Sequence, residues 1–236
     1  MNVGDKIKKE RANWNFGGNV AETFVEHIQK SVPFYNEGHD LICYLSDFFC
    51  LPDSVCYELG VSTGHLLKKL AVYNKHKPKI RWIGIDKEKE MIEKAKEHCR
   101  EVKNIELHCE DVSLFDYESA DMVIAYYCIQ FVPERHRQAL FNKIYERLNW
   151  GGVFILFEKV RSPDARFQDI MVSLYNDYKL RNGFTAEEIV AKTQSLKGVL
   201  DPFSTEGNLG LLKRAGFVDI MTVMKYICFE GFVAIK

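Results

Sequence analysis

Apolar residues recur at helical spacing twice near the start of the chain: Val20-Ala21, Phe24-Val25 and Ile28, then Leu41-Ile42, Leu45 and Phe48-Phe49. This spacing predicts two helices, and Pro33, within Ser31-Val32-Pro33-Phe34-Tyr35, marks the break between them. From residue 54 short apolar runs alternate with longer periodic ones. Ser54–Leu59, Ile80–Ile85, Ile105–Cys109, Met122–Tyr127 and Val153–Glu158 read as strands. His65–Tyr73, Lys87–Arg100 and Pro133–Leu148 read as helices between them. The rhythm predicts an α/β domain with a mostly parallel sheet, helices on both faces and right-handed crossovers. Residues 161–200 break it: Arg161–Arg181 and Thr185–Leu196 read as two helices joined at Asn182-Gly183, a helical cap insertion. After a last helix, Gly207–Ala215, the runs Val218–Lys225 and Cys228–Lys236 are too close to hold a helix between them, so they pair as an antiparallel hairpin at the sheet edge. The organisation is a single domain, with N-terminal helices in residues 1–50 and the cap in 161–200.

Composition narrows the picture. The chain has 236 residues, 47% hydrophobic and 28% charged, enough for one domain with a self-sufficient core. Lys+Arg is 32 and Asp+Glu is 33, a net charge of −1. That balance excludes a protein driven mainly by neutralising nucleic-acid phosphates, though not a local basic patch. No apolar run approaches the roughly 20 residues of a membrane span, and Met1–Trp14, with its basic Lys6–Arg11, lacks the apolar core of a secretion signal. The expected location is the cytoplasm. Seven cysteines without a CxxC pair, and seven histidines without HxxxH or HExxH spacing, argue against a disulfide framework or a metal centre. Buried thiols and no metal are expected. In the cap, Tyr175, Tyr178 and Phe184 read as core packing. Arg161, Arg166, Lys179, Arg181, Lys192 and Lys197 read as a solvated face, with an anionic acceptor or RNA as the alternative use.

The candidate chemistry sits at strand ends. Val55–His65 is a strand, a turn containing Gly60 and Gly64, then a helix. Such a turn lets a ligand approach backbone N–H groups closely. The third glycine of a dinucleotide fingerprint is missing. Asp86 ends the second strand, where a carboxylate can accept ribose hydroxyls, and Asp111 follows the third, where one can accept an adenine amino group. These acids could instead cap the following helices; with Glu58, three acidic strand ends in register favour an adenosine site. Gly60-x-Ser62-x-Gly64 also matches a hydrolase nucleophile elbow. That chemistry needs a late histidine, and the last one is His136.

Glu58-Leu59-Gly60-x-x-x-Gly64, Gly84-Ile85-Asp86 and Glu110-Asp111-Val112 resemble a class I S-adenosylmethionine (SAM)-dependent methyltransferase, and the terminal hairpin resembles the reversed seventh strand of that Rossmann-like fold. Nearly the whole chain is similar to the carboxy-S-adenosyl-L-methionine (carboxy-SAM) synthase family. The similar stretches include Trp14-x-Phe16, Ser31-Val32-Pro33-x-Tyr35, Gln130-Phe131, Gln138-Ala139-Leu140, Lys143-Ile144-Tyr145, Glu158-Lys159, Asn182-Gly183 and Ala215-Gly216-Phe217. The resemblance implies an enzyme that takes a carboxyl carbon from prephenate to make the donor for a tRNA wobble-uridine modification. It implies that Tyr35 reaches the methionine end, that Gly60, Val61 and Ser62 line it, that Asp86 and Lys87 flank the ribose, and that Asp111 and Val112 flank the adenine. It also implies a dimer through the cap.

Two departures shape the expected function. Tyr126 stands where the family has an asparagine. Leu211 is read at the position of the arginine that grips the extra carboxylate, with Asn208 and Leu209 replacing a nearby histidine and lysine. Loss of such a contact costs about 1.5–3 kcal/mol. The expectation is therefore a plain SAM-dependent methyltransferase acting on a small-molecule acceptor. The alternatives are carboxy-SAM synthesis, with Lys213 or Arg214 replacing the arginine, and a non-catalytic SAM-binding protein. The candidate SAM contacts are Tyr35, Glu58, Gly60, Val61, Ser62, Gly64, Asp86, Lys87, Asp111, Val112 and Tyr126. Tyr126, Tyr127, Glu158 and Tyr178 are the candidate catalytic groups, should the acceptor have to lose a proton.

Overall fold

The computed structural model describes residues 1–5, 7, 9–16 and 20–236, so Lys6 and Lys8 of the basic opening stretch lie outside the described residues. Strands β1 (Val55–Leu59), β2 (Arg81–Asp86), β3 (Ile105–Cys109), β4 (Ala120–Tyr126), β5 (Leu148–Lys159), β6 (Asp219–Tyr226) and β7 (Phe229–Ile235) form one sheet in the order β3-β2-β1-β4-β5-β7-β6. The first five are parallel, and β7 runs antiparallel to both β5 and β6. The expected α/β fold and terminal hairpin are present. Cys56, Tyr57, Glu58 and Leu59 of β1 are all buried, as a parallel strand covered on both faces requires. The strand order reverses direction between β1 and β4, which opens a crevice at their C-terminal ends.

Helices α2 (Tyr35–Phe49), α3 (His65–Tyr73) and α4 (Lys89–Cys99) cover one face, where Ile42, Leu67, Leu70 and Ile92 join Met122 and Ile155 in one core cluster. On the other face α5 (Glu134–Arg147) and α8 (Thr205–Ala215) place Leu140, Phe141, Leu211 and Leu212 against Val123 and Phe154. A third cluster joins the N-terminal arm to α1 (Val20–Ser31) and α7 (Ala186–Ser195) through Val3, Ile7, Trp14, Val20 and Ala191. The cap helix α6 (Ala165–Arg181) starts at an Asp164 cap that accepts the Phe167 N–H, and α7 starts with a Thr185–Glu188 capping box.

Local bonding moves several boundaries. Helix α4 begins two residues later than its pattern suggests, because Asp86 Oδ1 accepts the Glu88 N–H at 3.0 Å and Glu88 stays extended. Strand β5 begins at Leu148, which pairs with Ala120 before an irregularity in the ladder. Arg161 lies in a bridge with Ser204 rather than in α6. Cys43, Cys50, Cys56, Cys99 and Cys228 are buried thiols, whereas Cys109 is exposed and Cys128 is half-buried. Among the described residues no helix is long and apolar enough to cross a membrane.

Candidate functional site

A cavity of about 490 Å³ lies over the C-terminal ends of the parallel strands. Its floor is built by strand-end residues: Gly60 and Ser62 after β1, Asp86 and Lys87 at β2, Asp111 and Val112 after β3, Tyr126–Cys128 at β4 and Lys159 at β5. The roof comes from outside the alternating core: Trp14 and Phe16 of the arm, His27 and Ser31 of α1, Tyr175 and Lys179 of α6, Lys192 and Thr193 of α7. Two backbone bonds fasten arm to cap, from Ala12 N–H to Gln194 O at 3.0 Å and from Trp14 N–H to Ser195 O at 3.1 Å.

The turn after β1 differs from its sequence-based expectation in one respect. Its N–H groups are not free for a ligand. Those of Gly60 and Val61 both donate to Ile85 O, at 2.8 and 3.0 Å, and that of Ser62 donates to Asp86 Oδ2 at 2.9 Å. A phosphate cradle needs such groups open, so the turn suits a ligand without phosphates. What it offers is a bare backbone surface: a Cβ on Gly60 would lie 2.6 Å from Cys128 Sγ, and Gly60 has φ +69°. Asp86 is half-buried, and burial raises its pKa against the two backbone bonds that lower it. Each of its oxygens accepts one amide and keeps a lone pair, the pair of acceptors that ribose hydroxyls require. Asp111 likewise commits only Oδ1, to the Ser113 N–H at 2.7 Å.

Tyr35, Gly60, Ser62, Asp86, Lys87, Asp111, Val112, Tyr126 and Tyr127 thus line one cavity. Tyr126 donates its hydroxyl to Tyr35 O at 2.7 Å, which spends it on the wall. The Tyr127 hydroxyl is buried without a partner, on a residue held at φ +58°. Five candidates lie outside the lining. Val61 and Gly64 are buried behind the turn. Glu58 is buried beneath it, where burial pushes its pKa well up and its Oε2 has no hydrogen-bond partner among the described residues. Glu158 accepts the Ile129 N–H at 3.0 Å, and burial pushes its pKa up to about 8. With Arg137, which donates to Val132 O and Gln130 O, Glu158 shapes the loop after β4 rather than facing the cavity. Tyr178 is half-buried and stacks on Tyr175.

Leu211 does not mark a carboxylate site. It is 3% exposed and packed in the core cluster between α8 and the sheet, away from the cavity lining. Asn208 is buried on the same helix, and Lys213 and Arg214 are exposed, with Arg214 bonded to Gln138. Within this chain Leu211, Lys213 and Arg214 all lie outside the cavity lining, so a leucine at 211 does not count against a carboxylated ligand there.

The cations of the cavity are elsewhere. Lys179 is 5% exposed and Lys192 is half-buried, so neither belongs to a solvated face. Lys159 and Lys179 stand 4.5 and 4.4 Å from the Tyr175 ring, and Lys192 stands 5.5 Å from the Trp14 ring. Among the described residues none of the three forms an ion pair, whereas Lys30, Lys69, Arg81 and Lys225 do. Burial, then repulsion from its fellow cations, pushes Lys179 down to about 8 and Lys192 down to about 7. Burial lowers Lys159 as well, with Cys228 opposing and Arg161 adding to the shift. The sequence placed Lys179 and Lys192 on a solvated face, with an anionic acceptor as the alternative use, and did not group Lys159 with them. The available signal was the i, i+4 spacing of Tyr175 and Lys179, which puts them on one helical face.

Residues 56–152 match the model of a family described as a methyltransferase domain. A carboxy-SAM synthase from Staphylococcus epidermidis is 38% identical over 94% of this chain and 97% of its own. The one from Campylobacter lari is 33% identical over 98% and 99%. Among solved structures, the SAM-dependent methyltransferase SibL superposes with a TM-score of 0.64 at 15% identity over 93% of this chain. Human N-acetylserotonin methyltransferase in complex with SAM superposes with a TM-score of 0.55 at 18% identity over 92%. The chain spans about 60% of the length of either structure.

Proposed function

The chain belongs to the carboxy-S-adenosyl-L-methionine synthase family, and from that premise we propose that it converts SAM into carboxy-SAM rather than methylating a small-molecule acceptor. Its fold is that of the SAM-dependent methyltransferases. The observation that carries the finer reading is the lysine trio. Three cations without a carboxylate partner converge on the cavity from β5, α6 and α7. Grouping them away from water is costly unless an anion completes the site. The α-carboxylate of SAM can pair with one of them in either reading; three cations leave room for a further carboxylate, on the ligand or on its source, which a neutral acceptor does not supply.

In this reading the ring–carboxylate bond of prephenate, the source that the family resemblance implies, breaks as the ring hydroxyl leaves and the ring aromatises. The sulfonium methyl carbon of SAM gives up one proton, which leaves with that hydroxide as water, and forms the new carbon–carbon bond to the released carboxyl carbon. The chain's own residues bind and orient. Asp86 takes the ribose, Asp111 the adenine, and the bare surface of Gly60 lets the methionine end sit close. Tyr126 and Tyr127 wall the reacting end, and the lysines hold the carboxylates. Alignment of the reacting carbons within about 3–3.5 Å in a dry pocket is the main catalytic requirement. The product is a small-molecule donor for tRNA modification, so the chain itself needs no nucleic-acid contact. We also infer a homodimer through the cap. Lys179 is the one buried residue of α6, while Phe167, Ile170 and Leu174, at i, i+3 and i+7, are exposed.

The test is mass spectrometry of ligand released from the purified protein, followed by turnover of SAM with prephenate. Carboxy-SAM in both supports the reading. SAM alone, with no carboxylated product, returns the protein to plain methyl transfer. Binding without any turnover makes it a SAM-binding protein.

A further inference from the structure

Beside the lysine trio a line of hydrogen bonds runs from the N-terminal arm through α1 to α7. Asp5 Oδ2 lies 2.8 Å from His27 Nδ1, and Lys30 Nζ donates to Asp5 Oδ1 at 2.8 Å. His27 is 3% exposed, and burial, then repulsion from Lys192, pushes its pKa down to about 4. The ring is therefore neutral near pH 7. With Asp5 accepting from Nδ1, Nε2 is left as an acceptor. Lys192 Nζ donates to that Nε2 and, at 3.0 Å, to Ser31 Oγ. A lysine nitrogen has three such positions when charged. Two are spoken for by protein, and the third is left for the cavity that Lys192, His27 and Ser31 all line.

We propose that Lys192, oriented by Asp5, His27 and Ser31, grips the carboxylate that distinguishes carboxy-SAM from SAM, and that this grip takes up one proton at Lys192. The proposal rests on the reading of the cavity as a carboxy-SAM site. Five charged or titratable groups surround Lys192: Asp5 from the arm, His27 and Lys30 from α1, Lys179 from α6 and Lys159 from β5. Burial and the two neighbouring lysines hold Lys192 down at about 7, with Asp5 opposing. Above that pH the free amine is neutral, and its lone pair occupies the position that faces the cavity. An arriving carboxylate favours the ammonium and draws a proton from solution. Below it the proton is already in place. Asp5 and His27 are positioning residues: they fix which way the nitrogen points without touching the ligand.

A purely structural role, pinning the arm to α1 and α7, would leave proton linkage unchanged by the ligand. Calorimetry in buffers of different ionisation enthalpy separates the two. Carboxy-SAM and SAM are the paired probes, titrated separately from pH 6 to 8.5. With carboxy-SAM the wild type takes up almost no proton at pH 6 and approaches one at pH 8.5; with SAM it takes up none. Lys192→Met loses the uptake and weakens carboxy-SAM at least tenfold more than it weakens SAM. Lys192→Arg keeps the affinity but loses the uptake, because a guanidinium is always charged. His27→Leu moves the uptake to lower pH, and His27→Gln, whose amide oxygen can accept from Lys192, restores it. Lys179 faces the same cavity, so it is the Lys192 variants that assign the proton. Uptake that persists in Lys192→Met or Lys192→Arg, in a wild type that prefers carboxy-SAM, overturns this assignment alone. A wild type that prefers SAM overturns the assignment and the proposed function together.

Discussion

Asp86 does two jobs with one carboxylate, and its variants separate them. It holds the Ser62 and Glu88 amides, and it keeps two lone pairs toward the cavity. Asp86→Ala removes both roles and should weaken SAM binding by about 1.5–3 kcal/mol. Asp86→Asn retains one acceptor oxygen and should fall between. Calorimetry checks this, with melting temperature as the control; full affinity in a folded Asp86→Ala protein would remove the residue from the site. Gly60 is the second sensitive position. Gly60→Ala drives a Cβ to 2.6 Å from Cys128 Sγ at φ +69°, so SAM binding should be lost and the protein destabilised. Adding Cys128→Gly, which removes both the sulfur and the Cβ that would lie 2.9 Å away, should relieve the collision but leave about 1–2 kcal/mol of backbone strain. No relief in the double variant would show that the strain alone matters. Ser62, by contrast, contributes its amide, and its hydroxyl lies 3.5 Å from Met91 Sδ. Ser62→Ala should leave turnover within about tenfold, roughly 1.4 kcal/mol of barrier.

The element after β4 rests on a buried acid. The unfolded carboxyl of Glu158 titrates near 4.5 and the folded one near 8. Between those values the folded chain keeps a proton that the unfolded chain has released, so this residue subtracts stability as pH rises through the window. Glu158→Gln keeps an acceptor for the Ile129 amide and cannot ionise. Its stability relative to wild type should be near zero at pH 5 and grow to about 1–3 kcal/mol by pH 8.5, measured by denaturant titration. Comparing variant with wild type at each pH cancels the opposite trend of the buried lysines. A gain independent of pH would refute the assignment. Such elements also show how far the sequence could be read. The mostly parallel sheet and its terminal hairpin were legible, because apolar runs of strand length alternate with periodic helices; Asp86 falls where a strand stops and Asp111 just beyond one, whereas Glu58 lies inside β1 and is buried away from the cavity. The buried lysines were not legible. Helix α6 inverts the usual rule by burying Lys179 and exposing Phe167, Ile170 and Leu174, so a pattern that sends charge outward misassigns it. Leu211 was misplaced for the complementary reason. Similarity along the chain supplied a register, but only packing shows that this face of α8 meets the sheet.

For the whole molecule, the exposed apolar stripe of α6 is where the proposed dimer can be tested. Leu174→Asp or Ile170→Asp should shift the protein from dimer to monomer in light scattering, weakening association at least tenfold; a monomeric wild type would dismiss the inferred interface. The fastening of arm to cap has a further consequence, and it is kinetic. The floor of the cavity belongs to a rigid sheet, whereas its roof is closed by two amides, those of Ala12 and Trp14, bonded to carbonyls of α7 and its C-cap side. Arm and cap roof the cavity together, so parting of that clasp is a candidate opening step in turnover. Hydrogen exchange at Ala12 and Trp14 should therefore slow together when ligand binds, more than at amides of β1 or β4. The residence time of the product should shorten when Trp14→Ala loosens the arm, even where equilibrium affinity for the adenosine half is kept. Two backbone bonds, far from any reacting atom, would then set how often the enzyme can fire.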